Sequence, residues 1–185
     1  MSESTQTSVI VTMLVISILL VAIWAFVRWR RSQNTELQRL LRTVSQEALI
    51  NFFIPDGAGG EIHIDHLLLT QHGLMLLETK DIQGDVFAGD RMDTWSANHQ
   101  GTRFTFNNPI PMLQARSAAV SSLVPGVPLE SRVVFINQAT FPKGHPATVS
   151  TVATLIEEYS SVDAAEDQTD FSDHWQTIKS AAVFA

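Results

Sequence analysis

Asp65, Glu78 and Lys80 are the residues whose types and spacing could do chemistry: two carboxylates able to hold a divalent cation, and an ammonium able to orient a water or offset an anion. All three lie in Glu-Ile-His-Ile-Asp-His-Leu-Leu-Leu-Thr-Gln-His-Gly-Leu-Met-Leu-Leu-Glu-Thr-Lys, residues 61–80. Two runs rich in Ile and Leu flank Gln71-His72-Gly73, as in a β-hairpin. Neither run shows the polar alternation of a half-exposed sheet, so both faces are expected to be covered. A charge in such a strand is unfavourable unless it is paired, hydrated in a cleft or bound to a cation.

The hairpin register decides which charges meet. A loop of Gln71-His72 pairs residues whose numbers sum to 143 and sets Asp65 opposite Glu78. A loop of His72-Gly73 gives 145 and sets Asp65 opposite Lys80. In both cases Asp65, Glu78 and Lys80 share one face, because side chains alternate with period two. A three-residue loop would pair Asp65 with Thr79 and separate them. Two carboxylates within about 5 Å repel unless a cation or proton lies between them. A divalent metal is the simplest candidate, and a buried ion pair of Lys80 with one carboxylate is the alternative.

The elements that position these residues follow from the pattern on either side. After Ser32-Gln33-Asn34-Thr35-Glu36, the spacing of Leu37, Leu40, Leu41 and Val44 predicts an amphipathic helix, continuing through Glu47 to Leu49. Pro55-Asp56-Gly57-Ala58-Gly59-Gly60 then forms a turn. Beyond Lys80, Val86–Gly89, a segment at Trp95 and Arg103–Phe106 predict a meander that extends the same sheet. Asn107-Asn108-Pro109-Ile110-Pro111 launches a helix with an apolar stripe of Met112, Ala115, Ala119 and Val120; Gln114 lies one turn in. Arg132–Ile136 is a continuous apolar run, typical of a central strand reached by a crossover. Helices are expected over Val149–Tyr159 and His174–Ala182. His63 shares the face of Asp65; His66 points the other way, as a packed core residue.

Composition sets the surroundings. The chain has 185 residues and a formal net charge of −7, with no cysteine and hence no disulfide support. Val9 to Val27 is 19 residues without a charge. As a helix it would span roughly 28 Å, close to the hydrocarbon thickness of about 30 Å. It is read as an uncleaved transmembrane helix rather than a signal peptide, since the chain starts Met-Ser-Glu-Ser-Thr and Arg28-Trp29-Arg30-Arg31 follows. Those arginines predict an N-terminus outside and a cytoplasmic domain. The organisation is a tail (1–8), the anchor (9–27), a basic juxtamembrane linker (28–34), the domain (35–160), and an acidic linker with a short C-terminal helix (161–185). Past residue 42, seven basic residues face seventeen acidic ones, a balance of −10. That argues against broad, non-specific neutralisation of nucleic-acid phosphates by the domain alone.

Taken together, Ile64-Asp65-His66-Leu67-Leu68-Leu69-Thr70, Gly73-Leu74-Met75-Leu76-Leu77-Glu78-Thr79-Lys80, Gly84, Trp95 and Asn108-Pro109 with Gln114 resemble the nuclease-related domain (NERD) family. That family belongs to the PD-(D/E)XK restriction-endonuclease-like superfamily, and the likeness runs from about Glu36 to Tyr159. It implies an α/β fold, a central mixed β-sheet flanked by helices, with Asp65 and Glu78 as ligands of Mg²⁺ or Mn²⁺. It also implies that Lys80 positions or activates the attacking water, and that Gln114 is a site residue. Two features depart from the family. Asn108-Pro109 is followed by four residues before Gln114 instead of two, so either Pro111 takes the proline's place or the helix start is shifted. The family's Gly-Glu early in the domain is not matched, since Glu36 follows Thr35. The expected function is that of a membrane-anchored, metal-dependent endonuclease acting on nucleic acid; the alternative is a catalytically silent domain that tethers a protein partner at the bilayer.

Overall fold

The computed structural model describes residues 13, 16–22, 24, 36–160 and 170–184. The chain divides into two units, Met1–Glu36 and Leu37–Ala185. In the first, residues 16–22 are helical, and among the described residues no helix is long and apolar enough to cross a membrane. Much of Val9–Val27 and all of the 28–34 linker lie outside the described residues.

The second unit opens on a helix, α1, over residues 37–44, with Leu37, Leu40, Leu41 and Val44 turned to the core as their spacing predicts. The helix stops at Val44 instead of running on to Leu49. Residues Glu47–Pro55 form strand β1, paired antiparallel with β2 (Glu61–Thr70). Ala48-Leu49-Ile50-Asn51-Phe52-Phe53-Ile54 is rich in residues suited to a pleated surface, and the partner strand decides its conformation. The turn between them is held by Asp56, whose carboxylate accepts from the Ala58 and Gly60 amides at 2.7 and 2.9 Å. Those bonds hold the Asp56 carboxyl below its usual range, the Ala58 amide contributing most.

β2 turns into β3 (Gly73–Lys80), with Thr70 paired to Gly73 and Leu68 to Met75. The loop is therefore Gln71-His72, and the register is the one that sets Asp65 opposite Glu78. β3 runs parallel to β7 (Leu129–Phe135), which runs parallel to β9 (Val149–Thr151). With β10 (Val183–Phe184) on β1, the six-stranded sheet has the order β10-β1-β2-β3-β7-β9. Helix α2 (Ile110–Leu123) supplies the crossover, α3 (Val152–Ser160) follows β9, and α4 (Ser172–Ala181) precedes β10. Three residues expected to begin α3, Val149–Thr151, instead belong to β9.

The meander does not extend this sheet. β4 (Gly84–Phe87), β5 (Thr94–His99) and β6 (Thr102–Asn107) form a second sheet with β8 (Ala139–Thr140), in the order β6-β5-β4-β8. After β3 its parallel neighbour is β7, so the chain leaving Lys80 has no free edge there to join. The fold is mixed α/β, with two mixed sheets flanked by helices.

Each face of the large sheet has its own core. Leu67, Leu69, Leu74 and Leu76 pack with Leu113 and Val120 of α2, Trp175 and Ile178 of α4, and Val86 and Trp95 of the second sheet. Leu68, Met75, Leu77 and Val134 pack with α1 and with Val152 and Leu155 of α3. Coverage on both sides is why β2 and β3 lack polar alternation. Trp175 is 1% exposed, so the C-terminal helix is part of the domain's core.

One glycine fixes the close approach of β7 to the hairpin. Gly73 has φ +127°, and a Cβ there would lie 2.4 Å from the Pro128 carbonyl oxygen, the same oxygen that accepts from the Leu74 amide at 2.8 Å. Gly73→Ala is expected to cost roughly 2–3 kcal/mol of stability, read by urea unfolding, because it combines a left-handed backbone with a clash against main chain.

Candidate active site

The ladder between β2 and β3 ends at His66 and Leu77, one pair short of Asp65 and Glu78. Where it lapses, the Thr79 amide donates to Asp65 Oδ2 at 3.2 Å. A backbone donor is satisfied by a side chain, and the carboxylate is held between the strands.

Asp65 and Glu78 meet on the face that carries α2, and a cation lies between them. It is Arg116: its Nη1 is 2.7 Å from Glu78 Oε2 and 3.7 Å from Asp65 Oδ1. Lys80 Nζ lies 2.8 Å from Glu78 Oε1, and His63 Nδ1 is 3.2 Å from Asp65 Oδ1. His63 is itself fixed by Asn51 Oδ1, 2.8 Å from its Nε2. Asn51 stands on β1 with a left-handed backbone, φ 56°. Glu78 is only 5% exposed, and a carboxylate so placed requires paired charge. The formal charges of Asp65, Glu78, Lys80 and Arg116 cancel.

Of the residues singled out in the sequence, Asp65, Glu78 and Lys80 are brought together and Gln114 is not. Gln114 is exposed on α2 and lines a groove with Ser117, Ser131 and Thr148. Arg116 comes two residues later, about 200° further round the helix. The buried stripe of α2 is Ile110, Leu113, Ala119 and Val120; Met112 is 50% exposed and Ala115 is exposed. The stripe predicted through Met112 and Ala115 thus differs from the buried one at those two positions, while Arg116 falls within both. Its signal in the sequence is a charge three residues after Leu113 and four before Val120, inside the true stripe.

Several motif residues position this helix. Asn108 Nδ2 donates to the Met92 carbonyl at 2.8 Å, and Asn108 Oδ1 accepts from the Ile110 amide at 2.9 Å. The side chain thereby ties the second sheet to the first turn of α2. Trp95, fully buried, donates from Nε1 to the Gly89 carbonyl at 3.0 Å. Glu36 is exposed, and Glu47, at the start of β1 and opposite Leu69, binds Trp175 Nε1 and Lys179 Nζ at 2.7 and 3.1 Å, away from the carboxylate pair. Glu47's carboxyl is held below the usual range, chiefly by the Trp175 hydrogen bond.

The carboxylate pair offers hard oxygen donors that converge on one cationic nitrogen. In donor chemistry it fits Mg²⁺ or Mn²⁺, with Arg116 in the place such an ion would take. Among the described residues no three or more His, Asp or Glu are placed to hold a metal ion together, so an ion at the pair would keep water in its remaining positions.

An α/β domain with an Asp beside a Glu-x-Lys at the end of a hairpin is nuclease-like. Residues 28–136 match the nuclease-related domain, and the chain belongs to the NERD family. No curated protein and no solved structure matches it.

His66 lies on the opposite face from Asp65, 8% exposed, with Nδ1 buried and unpartnered. Burial, the largest cause, lowers its pKa below the ordinary 6.5. A depressed folded pKa means that the unfolded chain takes up the proton first on acidification. Stability is therefore full above 6.5 and falls as pH drops through the folded value. His66→Leu is expected to raise stability by about 1 kcal/mol at neutral pH by removing the unpaired nitrogen, and to reduce the loss on acidification to about pH 5.5. Urea unfolding of both proteins at the two pH values reads this.

Proposed function

We propose that the protein is a membrane-anchored nuclease that hydrolyses phosphodiester bonds in nucleic acid with Mg²⁺ or Mn²⁺ at Asp65 and Glu78. The observation that carries this reading is the convergence of both carboxylates on a single cationic nitrogen, with the Lys80 ammonium on the same face. A divalent ion bound there would supply Lewis-acid stabilisation of phosphoryl charge and lower the pKa of a bound water.

The chain's own residues do the rest. The Thr79 amide and His63 hold the two oxygens of Asp65 in a fixed orientation. Burial of Glu78 keeps it pointed at the shared position. Lys80, with its side chain 28% exposed, is open enough to donate to a water or a phosphate oxygen while remaining on Glu78. Gln114 would meet substrate only at the rim, outside the carboxylate pair. In this reading Val9 to Val27 spans the bilayer and Arg28, Arg30 and Arg31 keep the domain cytoplasmic, supported by the hydropathy and the charges that follow it. A reporter fused after Ala185 is expected to be active in the cytoplasm; activity only outside would overturn the orientation.

A second reading is a catalytically silent nuclease fold that binds a protein partner at the membrane. Arg116 between the carboxylates and the balance of −10 past residue 42 favour it. The two separate on the full chain assayed with Mg²⁺ or Mn²⁺ and single- or double-stranded DNA or RNA. Cleavage is expected, and Asp65→Asn or Glu78→Gln should lower it by more than the about 10–100-fold typical of losing only an outer partner of a metal ligand. Metal binding without cleavage of any of these would transfer the chain to the second reading.

A further inference from the structure

The cation between Asp65 and Glu78 belongs to the chain, and the way it is held is unusual for a permanent ion pair. A guanidinium has five N–H donors in a rigid fork and pairs best with a carboxylate through two parallel bonds. Arg116 instead makes one hydrogen bond, from Nη1 to Glu78 Oε2 at 2.7 Å, while Asp65 Oδ1 stands 3.7 Å from the same nitrogen. Its Nε is buried and has no partner. A buried donor left unmade is unfavourable, so the fork is not used as a structural clamp would use it.

Position and charge bear on the same point. The oxygens that face Nη1 are those a divalent ion would need, and the two cations cannot share that space. With Arg116 in place the four charged groups cancel. With a divalent ion there and Arg116 still nearby, the cluster carries an excess of two positive charges, which suits an anion. Arg116 projects from α2 on a long, flexible stem, so rotation about its side-chain bonds moves the guanidinium without moving the helix.

We propose that Arg116 is a placeholder cation: it fills the metal position in the resting site, yields it to a divalent ion, and then binds the phosphodiester through its guanidinium, including the Nε that has no partner at rest. This rests on reading the carboxylate pair as a metal site. It makes Arg116 both the residue that weakens metal binding and a substrate-binding residue.

The two roles give opposite signs in one variant. Mn²⁺ is titrated by calorimetry into the full chain and into Arg116→Gln, and a short oligonucleotide is then titrated with Ca²⁺ present. Arg116→Gln is expected to bind Mn²⁺ about tenfold tighter or more, since no charged hydrogen bond has to be broken, and to bind the oligonucleotide about tenfold more weakly. Mn²⁺ affinity equal to or below that of the unmodified chain overturns the inference, whether or not the unmodified chain cleaves nucleic acid. Absence of Mn²⁺ binding in both proteins overturns the inference and the metal reading together. Tighter Mn²⁺ binding and weaker oligonucleotide binding in a chain that cleaves nothing upholds the inference and removes only the nuclease activity. Arg116→Met, which keeps the length of the stem, replaces Arg116→Gln if the latter does not fold.

Discussion

Two carboxylates on neighbouring strands cannot share the covered face of a sheet without positive charge between them. Asp65 and Glu78 are held in that arrangement, and Glu78 is almost wholly buried. The hairpin register, the phase of α2 and the places of Lys80 and His63 all serve it. Arg116 and Lys80 neutralise the pair from two directions, one from the helix above and one from further along β3. Removing Glu78 would take the close partner from both Arg116 and Lys80, and removing Arg116 would leave two anions facing each other, so the cluster is a place where stability and chemistry are coupled.

The scaffold works backward from that pair. A two-residue loop sets the register, and Gly73 lets β7 approach closely enough to pair with β3 from its first residues. The β2–β3 ladder stops just where Asp65 and Glu78 begin, and the Thr79 amide turns to the Asp65 carboxylate. Asn108 then joins the second sheet to the start of α2, which brings Arg116 over the gap. The small sheet contributes no charged group to the cluster's contacts; its part is to hold one end of the helix that does.

Much of this was legible because it depends on local pattern. The hairpin follows from two apolar runs around a polar break, and the shared face of Asp65, Glu78 and Lys80 follows from period-two alternation alone. β7 and the last helix follow from a continuous apolar run and from helical spacing. The rest depends on partners distant in sequence. Glu47–Leu49 read as the tail of a helix, because only pairing with β2 makes them the start of a strand. The meander looked like more of the same sheet, since nothing in a strand's own residues says which sheet it joins. Arg116 lies on the face that both the predicted and the observed stripes of α2 cover, but a lone charge on a helix reads by default as a solvated one, and only the facing carboxylates give it a partner. Gln114, chosen on resemblance, lies on the other side of the helix.

The central question is whether the place between Asp65 and Glu78 is a cation site that Arg116 occupies in waiting. Crystals grown without divalent ions and then soaked in MnCl₂, with data collected near the manganese absorption edge, answer this directly. Anomalous density between the two carboxylates, with the Arg116 guanidinium turned away from both, is the expected result. Arg116 unmoved between them, with no anomalous density at the pair, would contradict it.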